Sequence, residues 1–157
     1  MNECLVSTPL GDLLLQENGQ GLEKAWFVEN YQTRFSDSQF LKEAAQQFLE
    51  YFHGKRTRFD LALHPIGTDF QTKVWNELLK IPYGTAISYA ELANRFGNPK
   101  SIRAAASANG KNPLGIVIPC HRVIGSSGEL VGYAGGLSRK KWLLRHEGFD
   151  KQETLFF

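Results

Sequence analysis

Cysteine is scarce in this chain: Cys4 and Cys120 are the only two among 157 residues, and they stand far apart. Such a pair makes no disulfide framework, and a reducing cytosol disfavours joining the two at all. The histidines, His53, His64, His121 and His146, show no HxxxH spacing and the cysteines no CxxC, so a structural zinc site has no support and no metal is expected. A run of about 18 apolar residues, long enough to cross a membrane, is missing. Met1-Asn2-Glu3-Cys4 lacks the basic-then-apolar order of a secretion signal, which makes the cytoplasm the expected compartment. Internal repeats and low-complexity linkers are missing too.

What is present is enough for a packed core. Apolar residues make up 42% of the chain and aromatics 12%, which excludes a disordered chain. The length suits one domain or two small ones. A formal net charge of +2 hides an asymmetry. Residues 1–68 carry six Lys/Arg against nine Asp/Glu, whereas residues 69–148 carry eleven against five. A basic C-terminal half suits a nucleic-acid face, because phosphate contacts supply most non-specific affinity, although many basic halves serve only solubility.

Residues 1–64 read as an α+β unit. Leu5 to Thr8, Leu13 to Leu15 and Leu22 to Val28 are strand candidates separated by turn signals at Pro9-Leu10-Gly11 and at Gly19 and Gly21. Over 37–53 the period changes: Phe40, Leu41, Ala44, Ala45, Phe48, Leu49 and Phe52 recur at three and four, one apolar helix face. Phe59 to Leu63 alternates like a strand. The boundary is expected near His64–Thr68, and residues 65–157 form a second, mainly helical domain. There Thr68 with Gln71, and Ser88 with Glu91, have capping-box spacing. Asn98-Pro99 marks an N-cap followed by proline, opening an alanine-rich helix from Lys100 to about Asn109. A short helix, a glycine turn and a second short helix resemble a helix-turn-helix. The last helix runs from Ser138 to His146, with Trp142, Leu143 and Leu144 on its buried side and Lys140 and Lys141 read as a solvated face.

Ile116-Val117-Ile118 reads as a short buried strand that delivers Pro119-Cys120-His121-Arg122-Val123. Only a thiolate is a good nucleophile, and a free thiol near pKa 8.5 supplies little of it at neutral pH unless a base or cation lies beside it. His121 follows at once, but neighbouring side chains on an extended segment diverge, so a water is the expected proton carrier. An isolated Cys-His dipeptide is more often a buried structural cysteine beside a satisfied histidine.

The context decides otherwise. The run Asn112-Pro-Leu-Gly-Ile-Val-Ile-Pro-Cys-His-Arg-Val, with a complete PCHRV core, resembles the active-site segment of the O6-alkylguanine-DNA alkyltransferases. Tyr133-Ala134-Gly135-Gly136-Leu137, Lys140-Lys141-Trp142-Leu143-Leu144 and Glu147-Gly148 extend the match downstream. Gly67 to Gln71, Val74-Trp75, Ile81 to Gly84 and Ser88-Tyr89 extend it upstream. The likeness is ordered over about residues 65–148, looser before that, and nearest to constitutive single-protein bacterial members. It implies a small ribonuclease H-like α+β unit followed by a winged-helix or helix-turn-helix-like domain. The implied activity is DNA repair by irreversible, stoichiometric transfer of a methyl or other alkyl group from O6 of guanine to Cys120. O4 of thymine is a second candidate substrate, and no cofactor is implied.

By the same resemblance His121 takes the thiol proton through a water, and Glu147 fixes the imidazole, the logic of a nucleophile–base–acid triad. A carboxylate at a helix C-terminus is otherwise poorly placed against the helix dipole. Tyr89 supplies a proton or hydrogen bond to the departing purine. Asn112 ties the turn before the active site. Tyr133, Ala134 and Gly135 belong to the alkyl and base pocket, and small Ala134 leaves room for bulkier groups. The partner implied is double-stranded DNA carrying O6-alkylguanine, gripped by a monomer from the minor groove with the base flipped out. Arg103 fills the gap left in the stack, Ala104 lets its helix approach closely, and Lys100, Ser101 and Lys111 reach phosphates. Rival readings are an alkyltransferase-like protein that binds alkylated DNA without reacting, a Cys-His hydrolase, and a plain helix-turn-helix regulator. The first lacks the reactive cysteine that this chain has, Cys-His hydrolases usually draw nucleophile and base from distant segments and turn over, and a regulator does not account for PCHRV together with Glu147.

Overall fold

The computed structural model describes residues 1–34 and 36–149, which fall into two compact units. The first comprises Met1–Ile66 with Pro113–Gly115, and the second Gly67–Asn112 with Ile116 onward.

In the first unit β1 (Asn2–Thr8), β2 (Gly11–Glu17) and β3 (Leu22–Val28) form an antiparallel meander in that order. Leu13, Leu14 and Leu15 are all buried, so the middle strand is covered on both faces, which is why it reads as an apolar run and not as an alternation. Helix α1 (Gln39–Phe52) starts where Ser38 accepts a hydrogen bond from the Leu41 N–H, and it buries Leu41, Ala44, Phe48, Tyr51 and Phe52. Its packing on β1 and β2 accounts for the expected periodicity.

The strand expected over Phe59 to Leu63 does not form. The segment makes a single parallel bridge, Leu22 with Leu63. The Gln47 side chain occupies both polar groups of the Asp60 backbone, at 2.8 and 3.0 Å. Phe59 turns its ring onto Phe48 and Tyr51, with centroids 4.8 and 5.7 Å away. The apolar alternation seats Phe59 on α1, and the backbone reaches β3 only at Leu22, through the Ala62 carbonyl and the His64 N–H.

The second unit is mainly helical. Helix α2 (Asp69–Leu78) opens with the Thr68–Gln71 capping box and buries Val74, Trp75 and Leu78. The Trp75 indole donates to the Ala108 carbonyl at 2.9 Å, tying α2 to α4 (Ile102–Gly110). Between them lie β4 (Ile87–Ser88) and α3 (Tyr89–Asn94), with Ser88 capping the Glu91 N–H. A turn through Gly97 (φ 70°) and a 3-10 turn at Pro99–Ser101 complete the expected helix-turn-helix. Helix α5 (Leu137–His146) closes the unit, one residue earlier than its sequence suggested. A small apolar cluster of Ile124, Leu130 and Leu144 seats α5.

The run Ile116-Val117-Ile118 is buried but is not a strand; it is a tight turn in which Ile116 takes φ 75°. A β-branched residue in the left-handed region costs about 1–3 kcal/mol. Burial of three large side chains offsets that cost, and the Asn112 amide donates to the Ile118 carbonyl at 2.8 Å to close the turn. Beyond it Cys120–Arg122 forms a 3-10 turn, and β5 (Val123–Ile124) pairs in parallel with β4, Ile87 with Val123 and Ser88 with Ile124. This two-rung ladder is what brings the start of α3, and with it Tyr89, beside the Cys120 turn.

Candidate active site

Cys120, His121 and Arg122 are all buried on one 3-10 turn, and Glu147 caps the far end of α5 with 4% of its surface exposed. Gly84, at φ 79°, lies against the same helix end: a Cβ there would stand 3.0 Å from the Glu147 carbonyl. The His121 Nε2 lies 2.7 Å from Glu147 Oε2. An ionised carboxylate only accepts, so Nε2 carries the hydrogen and Nδ1 is left as the basic nitrogen. Among the described residues Nδ1 is buried and has no hydrogen-bond partner.

Glu147 is held from the other side by Arg122, whose Nε donates to Oε1 at 2.7 Å and Nη2 to Oε2 at 3.1 Å, while Nη1 donates to the Ile81 carbonyl at 2.7 Å. Burial works against the Glu147 charge, but His121 and the guanidinium outweigh it and hold the carboxyl at about 2. Burial likewise pushes the His121 pKa below its ordinary value, against the pull of Glu147, so the imidazole rests neutral and able to accept a proton. The Cys120 thiol is also pushed up by burial, with a hydrogen bond from Asn112 and the charge of Lys140 pulling the other way. The resting site therefore holds a neutral thiol next in chain to a neutral base.

Tyr89 is half-buried, and its hydroxyl donates to the carbonyls of Val131 and Gly132 at 3.0 and 3.3 Å. Burial and the neighbouring sulfur raise its pKa to about 12, so it is a hydrogen donor at any physiological pH. Tyr133 is also raised well above its usual range by burial, and its ring lies against Gly135. The Asn112 amide donates to the Ile118 carbonyl, and Ala134 is exposed.

The residues expected to meet DNA lie elsewhere on the unit. Lys100, Arg103, Ala104 and Lys111 are exposed on α4 and at its two ends. Ser101 is partly buried, and its hydroxyl is spent on the Asn98 carbonyl at 2.6 Å.

Lys140 corrects the sequence reading. It is fully buried, and its Nζ donates to the carbonyls of Val131 at 2.9 Å and Gly132 at 3.4 Å. Helix α5 turns this lysine inward because its N-terminus faces the 131–132 loop, which offers carbonyls where an apolar core would offer nothing. Two further residues went unassigned. Arg122 was visible only as the fourth letter of PCHRV. Asn109, 2% exposed, donates from Nδ2 to the Cys120 carbonyl at 3.4 Å, and a lone polar residue in an alanine-rich helix was its only signal.

Comparison with known proteins agrees with this geometry. Residues 69–149 match the family model described as the 6-O-methylguanine DNA methyltransferase DNA binding domain, and residues 1–65 match the ribonuclease-like domain of the same family. The methylated-DNA–protein-cysteine methyltransferase of Methanosarcina acetivorans is 42% identical over 94% of this chain and 99% of its own. The constitutive methylated-DNA–protein-cysteine methyltransferase of Bacillus subtilis is 41% identical over 93% of this chain and 94% of its own. The crystal structure of Mycobacterium tuberculosis OGT in complex with DNA superposes with a TM-score of 0.87 at 41% identity, covering 94% of this chain and 93% of that one.

Proposed function

The chain belongs to the 6-O-methylguanine DNA methyltransferase family, and from that premise we propose how its residues divide the work. The protein binds DNA and repairs it by alkyl transfer from the methylated base to a protein cysteine.

The accepting atom is the sulfur of Cys120. The thiol proton passes through one water to His121 Nδ1, and the imidazolium so formed is stabilised by Glu147, which Arg122 holds in place. The thiolate attacks the alkyl carbon from the side opposite O6. A sulfur–carbon bond forms, the carbon–oxygen bond breaks, and its electron pair leaves with the purine. Tyr89 offers its hydroxyl hydrogen to the purine, so that guanine leaves neutral and not as an anion. A thioether is not hydrolysed under mild conditions, so each molecule acts once. The observation that carries this reading is the buried Nδ1, without a hydrogen-bond partner among the described residues, of a histidine whose other nitrogen is fixed by a carboxylate.

Helix α4 is the DNA-facing element of this reading. Exposed Arg103 fills the space of an extruded base, small Ala104 lets the helix come close in the minor groove, and Lys100, Ser101 and Lys111 lie at phosphates. Tyr133, Ala134 and Gly135 line the pocket that receives the base. The protein works as a monomer in the cytoplasm and needs no metal.

Mass spectrometry after mixing with duplex DNA containing O6-methylguanine tests this. One methyl group per protein, on the Cys120 peptide and lost in Cys120→Ser, is the expected result. An unmodified Cys120 peptide after binding to that DNA would overturn it and favour a protein that only binds the lesion.

A further inference from the structure

Two buried side-chain acceptors of the second unit have no hydrogen-bond partner among the described residues, and both adjoin Cys120. One is His121 Nδ1, which the transfer uses. The other is Oδ1 of Asn109, a residue of α4 with 2% of its surface exposed. The Cys120 carbonyl fixes how this amide is turned. A carbonyl accepts only from a donor, so Nδ2 faces it, at 3.4 Å, and Oδ1 is the atom left over. The same amide is a hydrogen-bond neighbour of the Tyr89 hydroxyl, whose pKa it draws down against burial. Asn109 thus stands between the backbone of the nucleophile and the side chain that faces the purine. Holding a carbonyl does not require a spare acceptor. One residue earlier the Ala108 carbonyl is held by the Trp75 indole, which has a donor and nothing left over. A buried amide oxygen without a donor is costly, and in a folded protein it calls for a partner or a function.

The chemistry of the lesion says what could meet that oxygen. Alkylation at O6 removes the hydrogen from N1, and N3 and N7 only accept, so the exocyclic 2-amino group is the one hydrogen-bond donor that the altered base offers. O4-alkylthymine offers none, because its N3 has lost its hydrogen and its O2 only accepts. We propose that Asn109 is a specificity-determining residue: its Oδ1 accepts a hydrogen bond from the 2-amino group of the extruded O6-alkylguanine, while its Nδ2 ties that contact to the Cys120 carbonyl. The assignment rests on the repair reading above, in which the base comes to Cys120. A bond of 3.4 Å in the free protein has room to tighten as the base enters. A thymine lesion leaves the oxygen unpaired, so the residue sets guanine lesions above thymine lesions.

The test compares two lesions that differ by one amino group, O6-methylguanine and O6-methylhypoxanthine, in otherwise identical duplexes. Affinity is measured in Cys120→Ser, so that transfer does not intervene, and in Cys120→Ser combined with Asn109→Leu, which fills a similar space without an acceptor. The cost of extruding each base is common to both proteins, so the change in the guanine-to-hypoxanthine affinity ratio isolates the residue. Asn109→Leu should lower that ratio by about tenfold, through weaker binding of the guanine lesion, and should not weaken binding of an O4-methylthymine duplex. An unchanged ratio overturns the proposal. Should Asn109→Leu fail to fold, the contact is read in Cys120→Ser from the NMR signal of the Asn109 side-chain carbonyl carbon. That signal should move when the guanine duplex binds and stay when the hypoxanthine duplex does, and equal behaviour with both ends the proposal. Methyl transfer by the unmutated protein, measured alongside, keeps the two readings apart: a ratio that falls as described in a protein that accepts no methyl group refutes the repair mechanism and not the contact.

Discussion

Arg122 grips Glu147 through two roughly parallel N–H bonds of 2.7 and 3.1 Å in a buried part of the molecule. The pair does for Glu147 what Glu147 does for His121: it fixes both position and charge. Replacing the acid alone strands a buried guanidinium, and breaking such a pair costs about 3–5 kcal/mol. Glu147→Gln should lower the urea midpoint accordingly and slow methyl transfer further than the lost stability explains, because the imidazolium loses its partner. A Glu147→Gln protein with native stability and native rate would show the pair to be ornamental.

Acid should unfold the protein in two stages. His121 is held below its ordinary value of 6.5, so as pH drops past 6.5 the unfolded chain takes up a proton that the folded one refuses, and stability falls. Glu147 is held at about 2 against an ordinary 4.5. Its contribution is present in full above 4.5 and disappears as pH falls from there towards 2. Urea titrations at stepped pH check this. Glu147→Gln should flatten the lower stage, and an equal slope in both proteins would contradict the assignment.

Tyr89→Phe removes one hydroxyl while leaving the ring and its packing. The Val131 and Gly132 carbonyls keep Lys140 as donor, so the fold should survive. Transfer from O6-methylguanine should slow by about a hundredfold, the low end of what a positioned proton donor contributes. Iodoacetamide labelling of Cys120 should hardly change, since no purine leaves in that reaction. Equal slowing of both would make Tyr89 a packing residue.

Much of this was legible in the chain. The capping boxes at Thr68 and Ser88, the apolar spacing of α1 and the Asn98-Pro99 start are local signals, and local chemistry fixed the elements they mark. Cys120, His121 and Glu147 were readable because an ordered motif carries them. What failed was decided by distant partners. Ile116 to Ile118 looks the same whether buried as a strand or as a turn, and only the Asn112 bond and the φ of Ile116 separate the two. Lys140 looked solvated because lysine usually is. The carbonyls that receive it come from a loop whose course no periodicity reveals. Phe59 to Leu63 alternates as a strand does, yet nothing in the chain says that Gln47 will claim the backbone of Asp60.

If Tyr133, Ala134 and Gly135 receive the base as proposed, Gly135→Ala should deform that pocket from within. An added Cβ would stand 2.6 Å from the Tyr133 ring, so the ring or the loop must shift. Overpacking of this kind costs about 1–3 kcal/mol. The rate with benzylguanine should fall more than the rate with methylguanine, because the larger group needs the displaced volume. Parallel losses for both substrates would place Gly135 outside the pocket.

Arg103→Ala separates grip from chemistry. Arg103 is exposed on α4, and among the described residues it makes no hydrogen bond or ion pair, so its removal should leave stability within about 0.5 kcal/mol. Extruding a base costs about a few kcal/mol of lost stacking, and a side chain that fills the gap recovers part of it. Methyl transfer from duplex DNA should therefore drop by about tenfold or more, while transfer from the free base O6-methylguanine, which has no stack to leave, should keep its rate. A residue that only met a phosphate would behave differently: its loss would weaken binding to every duplex alike and lower the salt slope by about one. Rates on duplex and free base that fall together would remove Arg103 from the extrusion step, since a defect shared with the free base must lie in the pocket and not on α4.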